Sequence, residues 1–272
     1  MKHGLANSLP EKIILVIVAL IVLTYVLFIS VPILAVFLKI EPNQISNQLR
    51  NAGIIEAVKL SLITAGTATA IAFVLAIPTS YFMATRNFRG KAIVDTLMDL
   101  PIVLPPAVAG VALLYTFAPK GLLGPIFNSR GIIIPGSTLA VIIAETFVAS
   151  PFLYRSAKTG FEAMDKDIIN SAKMLTGSRL RVFFTVVFPL TTRAIISGTM
   201  MTWARAMGEF GATLMFAGNI AGVTQTMPLA IYNFLYFDPL GGIMLSIILI
   251  IISFTVLIVV KILEQKRFGP KK

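Results

Sequence analysis

Long apolar stretches dominate the chain, and its polar residues are gathered in the segments between them. A helix needs about 20 apolar residues to cross the hydrocarbon core of a bilayer. The stretches are continuous rather than alternating, which is typical of membrane-spanning helices and not of barrel strands. We predict six spans, at residues 13–38, 57–84, 93–118, 132–157, 195–217 and 240–263.

The composition supports this interpretation. Hydrophobic residues make up 57% of the chain and charged residues 13%, whereas soluble proteins carry about 25% charged residues. An ordinary water-soluble domain is therefore excluded. The sequence predicts an all-α integral membrane protein with six transmembrane helices, which is a multi-pass protein of the plasma or inner membrane.

The formal net charge of +11 comes from 23 Lys and Arg against 12 Asp and Glu. If the N-terminus is cytoplasmic, 17 basic residues lie on the cytoplasmic side, five lie outside and Arg205 lies within the fifth span. By the positive-inside rule, we expect both termini to face the cytoplasm. The excess charge then sets the topology in the lipid bilayer, and we expect no nucleic-acid partner.

The sequence offers little for catalysis. It contains no Cys and one His, His3, in the basic N-terminal tail, which excludes disulfides, Cys nucleophiles and His-based triads. A phosphate-binding loop is absent, since the nearest string, Arg-Gly-Lys-Ala at residues 89–92, lacks the first Gly and the hydroxyl residue of that motif. We expect no catalytic residue, metal or cofactor in this chain.

The segment between the fourth and fifth spans, residues 158–189, is long, amphipathic and cytoplasmic in this topology. A Thr-Gly-Ser break at residues 176–178 predicts two short helices that meet there. One interpretation is a rigid element that sits in a groove of a motor subunit. The other is an amphipathic helix that lies on the membrane surface.

Within this segment, residues 172–178 read Ala-Lys-Met-Leu-Thr-Gly-Ser, and Phe-Pro-Leu follows at residues 188–190. The segment resembles the cytoplasmic "EAA" loop of ABC importer permeases, which reads Glu-Ala-Ala, three residues, Gly, nine residues, Ile-x-Leu-Pro. Counted back from Pro189, the Glu position is Asn170, the first Ala position is Ser171 and the Gly position is Thr176. The resemblance implies a loop that couples to ATPase subunits through Asn170, Ser171, Ala172, Lys173, Thr176, Gly177, Ser178, Leu180, Arg181 and Pro189.

Two further strings are more specific. Residues 99–110 read Asp-Leu-Pro-Ile-Val-Leu-Pro-Pro-Ala-Val-Ala-Gly, and residues 203–219 read Trp-Ala-Arg-Ala-Met-Gly-Glu-Phe-Gly-Ala-Thr-Leu-Met-Phe-Ala-Gly-Asn. Both are similar to permeases of molybdate, tungstate and sulfate importers. Gln-Thr-Met-Pro-Leu-Ala-Ile-Tyr at residues 225–232 looks most like the molybdate/tungstate branch.

The resemblance covers a permease core at residues 56–263. Residues 1–55 hold the N-terminal tail, the first helix and an external loop, and residues 264–272 form a basic cytoplasmic tail. The resemblance implies the type I ABC importer fold, with a second permease copy as in the homodimers of the molybdate branch. It also implies cytoplasmic ATPase subunits that bind ATP and Mg²⁺, and an external binding protein that delivers the oxyanion.

Two alternatives stay open for the function. The first is a sulfate or thiosulfate permease, because those permeases share much of the string at residues 203–219. The second is a secondary transporter or channel that uses Arg205, Glu209 and Glu145. The second alternative is disfavoured because it does not explain a long cytoplasmic amphipathic segment.

Prolines and glycines mark the candidate translocation pathway. Pro101, Pro105 and Pro106 remove backbone donors, so the third span is predicted to bend or unwind, either as a packing kink or beside a pathway. Gly208 and Gly211 are predicted to let neighbouring backbones approach closely.

Charged residues inside the spans are the last candidates. Arg205 and Glu209 lie four residues apart in the fifth span and Glu145 lies in the fourth, where a charge costs about 2.5–3.5 kcal/mol on insertion scales. One interpretation is that Arg205 and Glu209 form an internal ion pair. The other is that Arg205 makes the passage of a dianion less unfavourable, while Glu209 or Glu145 prevents Arg205 from binding the dianion tightly. We interpret Asp95 and Asp99 as first-turn carboxylates that stabilise a helix dipole.

Overall fold

The computed structural model describes residues 9–40, 42–176 and 178–268, and helices joined by short turns make up most of them. The first three helices are α1 (Leu9–Phe37), α2 (Pro42–Leu49) and α3 (Ala52–Thr85). Asn51 begins α3, because its side chain accepts a hydrogen bond from the backbone N–H of Gly53 at 3.0 Å. The apolar side chains of α1 lie on the outside of the molecule, so this helix is the least buried of the five long apolar helices among the described residues.

The third span is broken in the middle. Helices α4 (Lys91–Val103) and α5 (Pro106–Phe117) meet at an angle of 113°. Leu104 and Pro105 between them are extended, because a residue that precedes proline is pushed out of the α-helical conformation. Pro106 then occupies the first position of α5, where the missing N–H is harmless. The bend predicted from the prolines is confirmed.

Helix α6 (Gly124–Asn128) is short, and α7 (Thr138–Glu162) runs through the centre of the molecule. Ser137 begins α7 by accepting a hydrogen bond from the N–H of Ala140 at 3.3 Å. The buried face of α7 carries small residues such as Ala140, Ala144 and Ala157. Because these side chains are short, α3, α4, α10 and α11 all pack closely around α7.

After α8 (Lys166–Thr176), one continuous helix runs from Arg179 to Met207. It consists of α9 (Arg179–Val182), a π-helical turn (Phe183–Val187) and α10 (Phe188–Met207). The predicted meeting of two helices at residues 176–178 is confirmed, because α8 ends at Thr176 and the next helix begins at Arg179. The prediction that the second helix is short is wrong. Pro189 does not end the helix, because it lies in the first turn of α10 directly after the wider π turn, where its missing N–H does little harm.

The predicted fifth span at residues 195–217 is also wrong at both ends. The observed helix begins at Arg179 and ends at Met207. A short non-helical segment follows, and the separate helix α11 (Gly211–Ala217) comes after it. The segment outside the spans is consequently shorter than residues 158–189, since α7 continues to Glu162. Apolar continuity did not reveal either change, because both sides of each boundary are apolar.

Helices α12 (Met227–Phe237) and α13 (Pro239–Phe268) complete the described chain. Within residues 9–40, 42–176 and 178–268, five helices are long and apolar enough to cross a membrane, and the bent pair α4 and α5 makes six if it counts as one span. The predicted all-α fold with six spans is confirmed on this count. Buried side chains form three clusters, one of which joins α3, α7 and α9 near α8 and another of which joins α5, α7 and α11.

Candidate functional site

The proline bend contacts the segment that follows α10. A methyl group added at Gly211 would lie 2.9 Å from Cβ of Pro106, and one added at Gly110 would lie 2.6 Å from the carbonyl oxygen of Ala212. Both distances are shorter than side chains tolerate, so α5 and α11 touch through their glycines. The close approach predicted at Gly211 is present, and Gly110 is a second such site that the sequence analysis did not single out.

Gly208 has a different role from the one predicted. The nearest atom to a methyl group added there is the carbonyl oxygen of Ala204, at 3.6 Å, which belongs to the preceding turn of the same helix. No atom of a neighbouring helix lies within 4 Å of that added methyl group in the described part of the chain. Gly208 instead follows the last residue of α10 as its C-cap.

Arg205 and Glu209 form an ion pair across the end of α10. Nη1 of Arg205 lies 2.6 Å from Oε2 of Glu209. The other carboxylate oxygen, Oε1, accepts a hydrogen bond from the N–H of Ala212 at 2.7 Å in the first turn of α11. Glu209 is only 1% exposed, so water does little to stabilise its carboxylate. Arg205 and the N–H of Ala212 stabilise it instead. The geometry favours the ion-pair interpretation over a free arginine that meets an anion.

Glu145 does not join this pair. It is buried in α7, and its Oε1 accepts a hydrogen bond from Oγ1 of Thr64 at 3.0 Å. Its Oε2 has no hydrogen-bond partner among the residues that the structure describes. The contact ties α3 to α7. One turn earlier in α3, Oγ of Ser61 accepts a hydrogen bond from the N–H of Met227 at 2.7 Å. This second contact joins α3 to the start of α12.

The carboxylates of α4 face α7 rather than the start of their own helix. Asp95 accepts hydrogen bonds from the hydroxyl of Tyr154 at 2.6 Å and from Nζ of Lys158 at 2.5 Å. Asp99 pairs with Nε of Arg155 at 2.6 Å. The interpretation as first-turn carboxylates is wrong, because α4 begins at Lys91. These contacts hold α4 against α7. Pro101 lies within α4, and Pro105 lies at the bend where α5 turns away from α4.

Helix α8 packs on the bundle through one side only. Ile169 and Ala172 pack against the buried cluster of α7 and α9, whereas Asn170, Ser171 and Lys173 are exposed. Thr176 is the last residue of α8, and Gly177 lies outside the described residues.

Beyond the break, Ser178 begins α9 by accepting a hydrogen bond from the N–H of Arg181 at 3.4 Å. Leu180 and Arg181 are exposed on α9, and Pro189 lies in the first turn of α10. The predicted coupling residues that the structure describes therefore lie along α8, α9 and the start of α10.

Two apolar residues near the end of α8 are almost fully exposed. Met174 is 88% exposed and Leu175 is 87% exposed. Both lie within the motif at residues 172–178 but are not among the predicted coupling residues. No signal in the sequence distinguished them, because adjacent apolar residues can share the packed face of an amphipathic helix.

An aromatic cluster connects this region to the spans. The ring of Tyr81 in α3 lies 5.4 Å from that of Phe161 in α7 and 4.9 Å from that of Phe183 in the π turn, measured between ring centroids. Both contacts are edge-to-face, which is a favourable arrangement. The cluster therefore packs the π turn against α3 and α7.

The matching family model defines the class of the protein. The model of the family described as "binding-protein-dependent transport system inner membrane component" matches residues 76–269, so this chain belongs to that family. It is a multi-pass membrane permease subunit.

Named relatives are similar over most of the chain. The "Probable transport system permease protein NifC" of Clostridium pasteurianum is 32% identical over 94% of this chain and 90% of that protein. The molybdenum transport system permease protein ModB of Mycobacterium tuberculosis is 34% identical, over 84% of this chain and 86% of that protein. The molybdate/tungstate transport system permease protein WtpB of Pyrococcus abyssi is 34% identical, over 71% of this chain and 73% of that protein.

Solved structures share the fold. A chain of a bacterial alginate ABC transporter, crystallised with a periplasmic protein that holds an alginate pentasaccharide, superposes with a TM-score of 0.74. The match covers 96% of each chain at 12% sequence identity. At that identity the likeness concerns the fold alone, which is that of type I ABC importer permeases.

Proposed function

We propose that this chain is the permease of an ATP-driven importer that moves a tetrahedral oxyanion, molybdate or tungstate, into the cytoplasm. The observation that carries the proposal is the similarity to the molybdenum and molybdate/tungstate permeases over most of the chain. An external binding protein delivers the anion, and separate ATPase subunits bind ATP and Mg²⁺.

The ATPase subunits dock on α8 and the start of α9. Met174 and Leu175 support this placement, because they expose apolar surface that a groove in a partner can bury. The aromatic contacts of Phe183 with Tyr81 carry the movement of α8 into the spans. With α8 in the cytoplasm, both termini lie on the cytoplasmic side, which agrees with the distribution of basic residues.

A second copy of the chain completes the transport pathway as a homodimer. The outward face of α1 supports this arrangement, because its apolar side chains have few partners within one copy. The bend between α4 and α5 and the contact of Pro106 with Gly211 place a break in each of two neighbouring segments. Irregular backbone within a membrane is stable where it is buried in protein or lines a water-filled cavity, as a pathway would require.

The test is transport by the purified complex in proteoliposomes. The permease, its ATPase subunits and its binding protein are reconstituted together, and ATP hydrolysis and uptake of labelled anion are measured. We expect molybdate and tungstate to stimulate both, and sulfate and thiosulfate to stimulate neither. Stimulation by sulfate alone would replace the proposal with the sulfate alternative. Uptake without any ATPase subunit would support a secondary transporter instead.

A charge reversal on α9 tests the docking surface separately. Arg181→Glu is expected to uncouple ATP hydrolysis from uptake while the permease still folds, because the Arg181 side chain is exposed. The matched control is Arg130→Glu, which reverses an exposed charge in the turn after α6, outside the proposed docking surface. Equal uptake by both variants would contradict docking at α9.

A further inference from the structure

A cavity of about 860 Å³ lies between the end of α3, the end of α7, α8 and α9. Met174 and Leu175 do not line it, whereas Asn170, Lys173 and Leu180, three of the predicted coupling residues, do. Its wall combines aromatic rings with basic side chains, among them Phe82, Phe184 and Arg179. None of the contacts described above uses its basic residues.

The cavity lies at the level where two spans end. Helix α3 ends at Thr85, with Arg86 as its C-cap, and the span that contains α10 begins at Arg179. Both arginines line the cavity. Arg86 and Arg179 therefore lie at the ends of two helices that both border this cavity, at its rim.

The rim carries an excess of positive charge. Arg86, Lys173 and Arg179 line the cavity and are exposed, and none of them has an ion-pair partner among the residues that the structure describes. Glu162 is the acidic residue in the lining, and it lies 3.8 Å from Lys158, which draws its charge away from the rim. The cavity is therefore complementary to an anion.

Below the rim the lining is apolar and open to the side. It extends along α3 from Arg86 to Pro78, which is about 12 Å at the rise of an α-helix. Phe82 is 53% exposed and Phe184 is 66% exposed, so both rings face outward from the bundle. A ligand that fits here has an anionic head at the rim and a hydrocarbon tail along the two rings.

We propose that this cavity binds an anionic phospholipid. The phosphate group lies between Arg86, Lys173 and Arg179, and the upper part of an acyl chain packs on Phe82 and Phe184. Basic residues attract anionic lipids at the membrane surface, and long basic side chains reach the headgroups while their stems stay in apolar surroundings. Because Lys173 belongs to α8 and Arg86 follows α3, the lipid holds α8 against the membrane end of α3.

The experiment is native mass spectrometry of the purified permease without ATPase subunits, titrated with phosphatidylglycerol or phosphatidylcholine of equal chain length. The wild-type protein is expected to bind phosphatidylglycerol at least about fivefold more tightly than phosphatidylcholine. Arg86→Gln/Arg179→Gln is expected to lose about tenfold in phosphatidylglycerol affinity. Glycerophosphate, which has the head without the tail, is expected not to displace the lipid.

The matched control is Arg89→Gln/Arg181→Gln, which removes two arginines close in sequence to the first pair but outside the cavity lining. It is expected to bind phosphatidylglycerol like the wild type. Equal retention of the two lipids by the wild type would overturn the proposal without any variant, and so would equal losses in the two double variants. Displacement by glycerophosphate would show a phosphate site rather than a lipid site. The assay uses no transport, so its result is independent of the proposed function.

Discussion

The two ends of the helix Arg179–Met207 differ in which side chains are buried and which are exposed. At the Met207 end, charged Glu209 is buried and held by Arg205 and by the N–H of Ala212. At the Arg179 end, apolar Met174 and Leu175 of the adjoining α8 are exposed. A buried charge must be satisfied within the chain, whereas exposed adjacent apolar side chains indicate a partner. The first region therefore maintains the fold, and the second is available for assembly.

The largest expected effect is at Glu209. Glu209→Leu leaves Arg205 without its counter-ion and removes the acceptor of the Ala212 N–H, so we expect the free energy of unfolding to fall by about 3–5 kcal/mol. The measurement is unfolding in detergent, followed by the fluorescence of Trp203, the one tryptophan of the chain.

The double variant Arg205→Met/Glu209→Leu is the control for this pair. It leaves no unpaired charge, so it is expected to lose less stability than the sum of the two single variants. If the losses are simply additive, the two residues are not coupled. Normal stability with abolished uptake in the double variant would return Arg205 to the role of a residue that meets the anion.

A smaller effect is expected where α5 touches α11. Gly110→Ala places a methyl group 2.6 Å from the backbone oxygen of Ala212, and we expect a loss of about 1–3 kcal/mol from overpacking. Gly66→Ala in α3 is the control, because no atom lies within 4 Å of the added methyl group. That variant is expected to be neutral or to gain up to about 1 kcal/mol. Similar stabilities of the two variants in thermal unfolding would contradict the close contact.

Substitution of Asp95 is expected to lower the stability by a smaller amount than Gly110→Ala. Asp95→Asn weakens the bonds from Tyr154 and Lys158, and we expect a loss of about 1 kcal/mol because the site is partly exposed. Asp99→Asn breaks a pair in which Arg155 is 56% exposed, so its loss is expected to stay below about 0.5 kcal/mol. The two variants are compared by urea unfolding in detergent. A larger loss at Asp99 would reverse the assigned order of the two contacts.

The smallest effect on stability is expected at α8. Met174→Ser/Leu175→Ser removes side chains that are almost fully exposed, so the free energy of unfolding is expected to change by less than about 0.5 kcal/mol. Co-purification of the ATPase subunits in mild detergent is nevertheless expected to fall sharply. The control is Ile168→Ser, which changes an exposed residue at the other end of α8. Destabilisation by the double variant would mean that α8 supports the fold itself.

The sequence predicted the presence of the spans better than their ends. The bend at Pro105 and Pro106 followed from the chemistry of proline, which acts on the backbone regardless of its neighbours. The end of α10 at Met207 did not follow, because residues 204–217 are apolar or small on both sides of the break apart from Arg205, Glu209 and Thr213. Glu209 lies after this end, and its carboxylate accepts a hydrogen bond from the N–H of Ala212 in the next helix.

The partners of the charged residues could not be predicted from the chain alone. The spacing of Arg205 and Glu209 indicated their ion pair, because residues four apart lie near each other on one helix. The contacts of Asp95 with Lys158 and of Glu145 with Thr64 join helices that are far apart in sequence. Such contacts depend on how the helices pack, and spacing carries no information about that.

The sequence by itself determined that this protein is an all-α membrane protein with a bent third span, because apolar length and proline chemistry are local properties. The motifs at residues 99–110 and 203–219 also indicated its family. Only the tertiary structure decided that the fifth span ends at Met207, that Gly110 and Gly211 lie in one contact between α5 and α11, and that three cations and four phenylalanines line one cavity. Each of these depends on atoms brought together from distant parts of the chain.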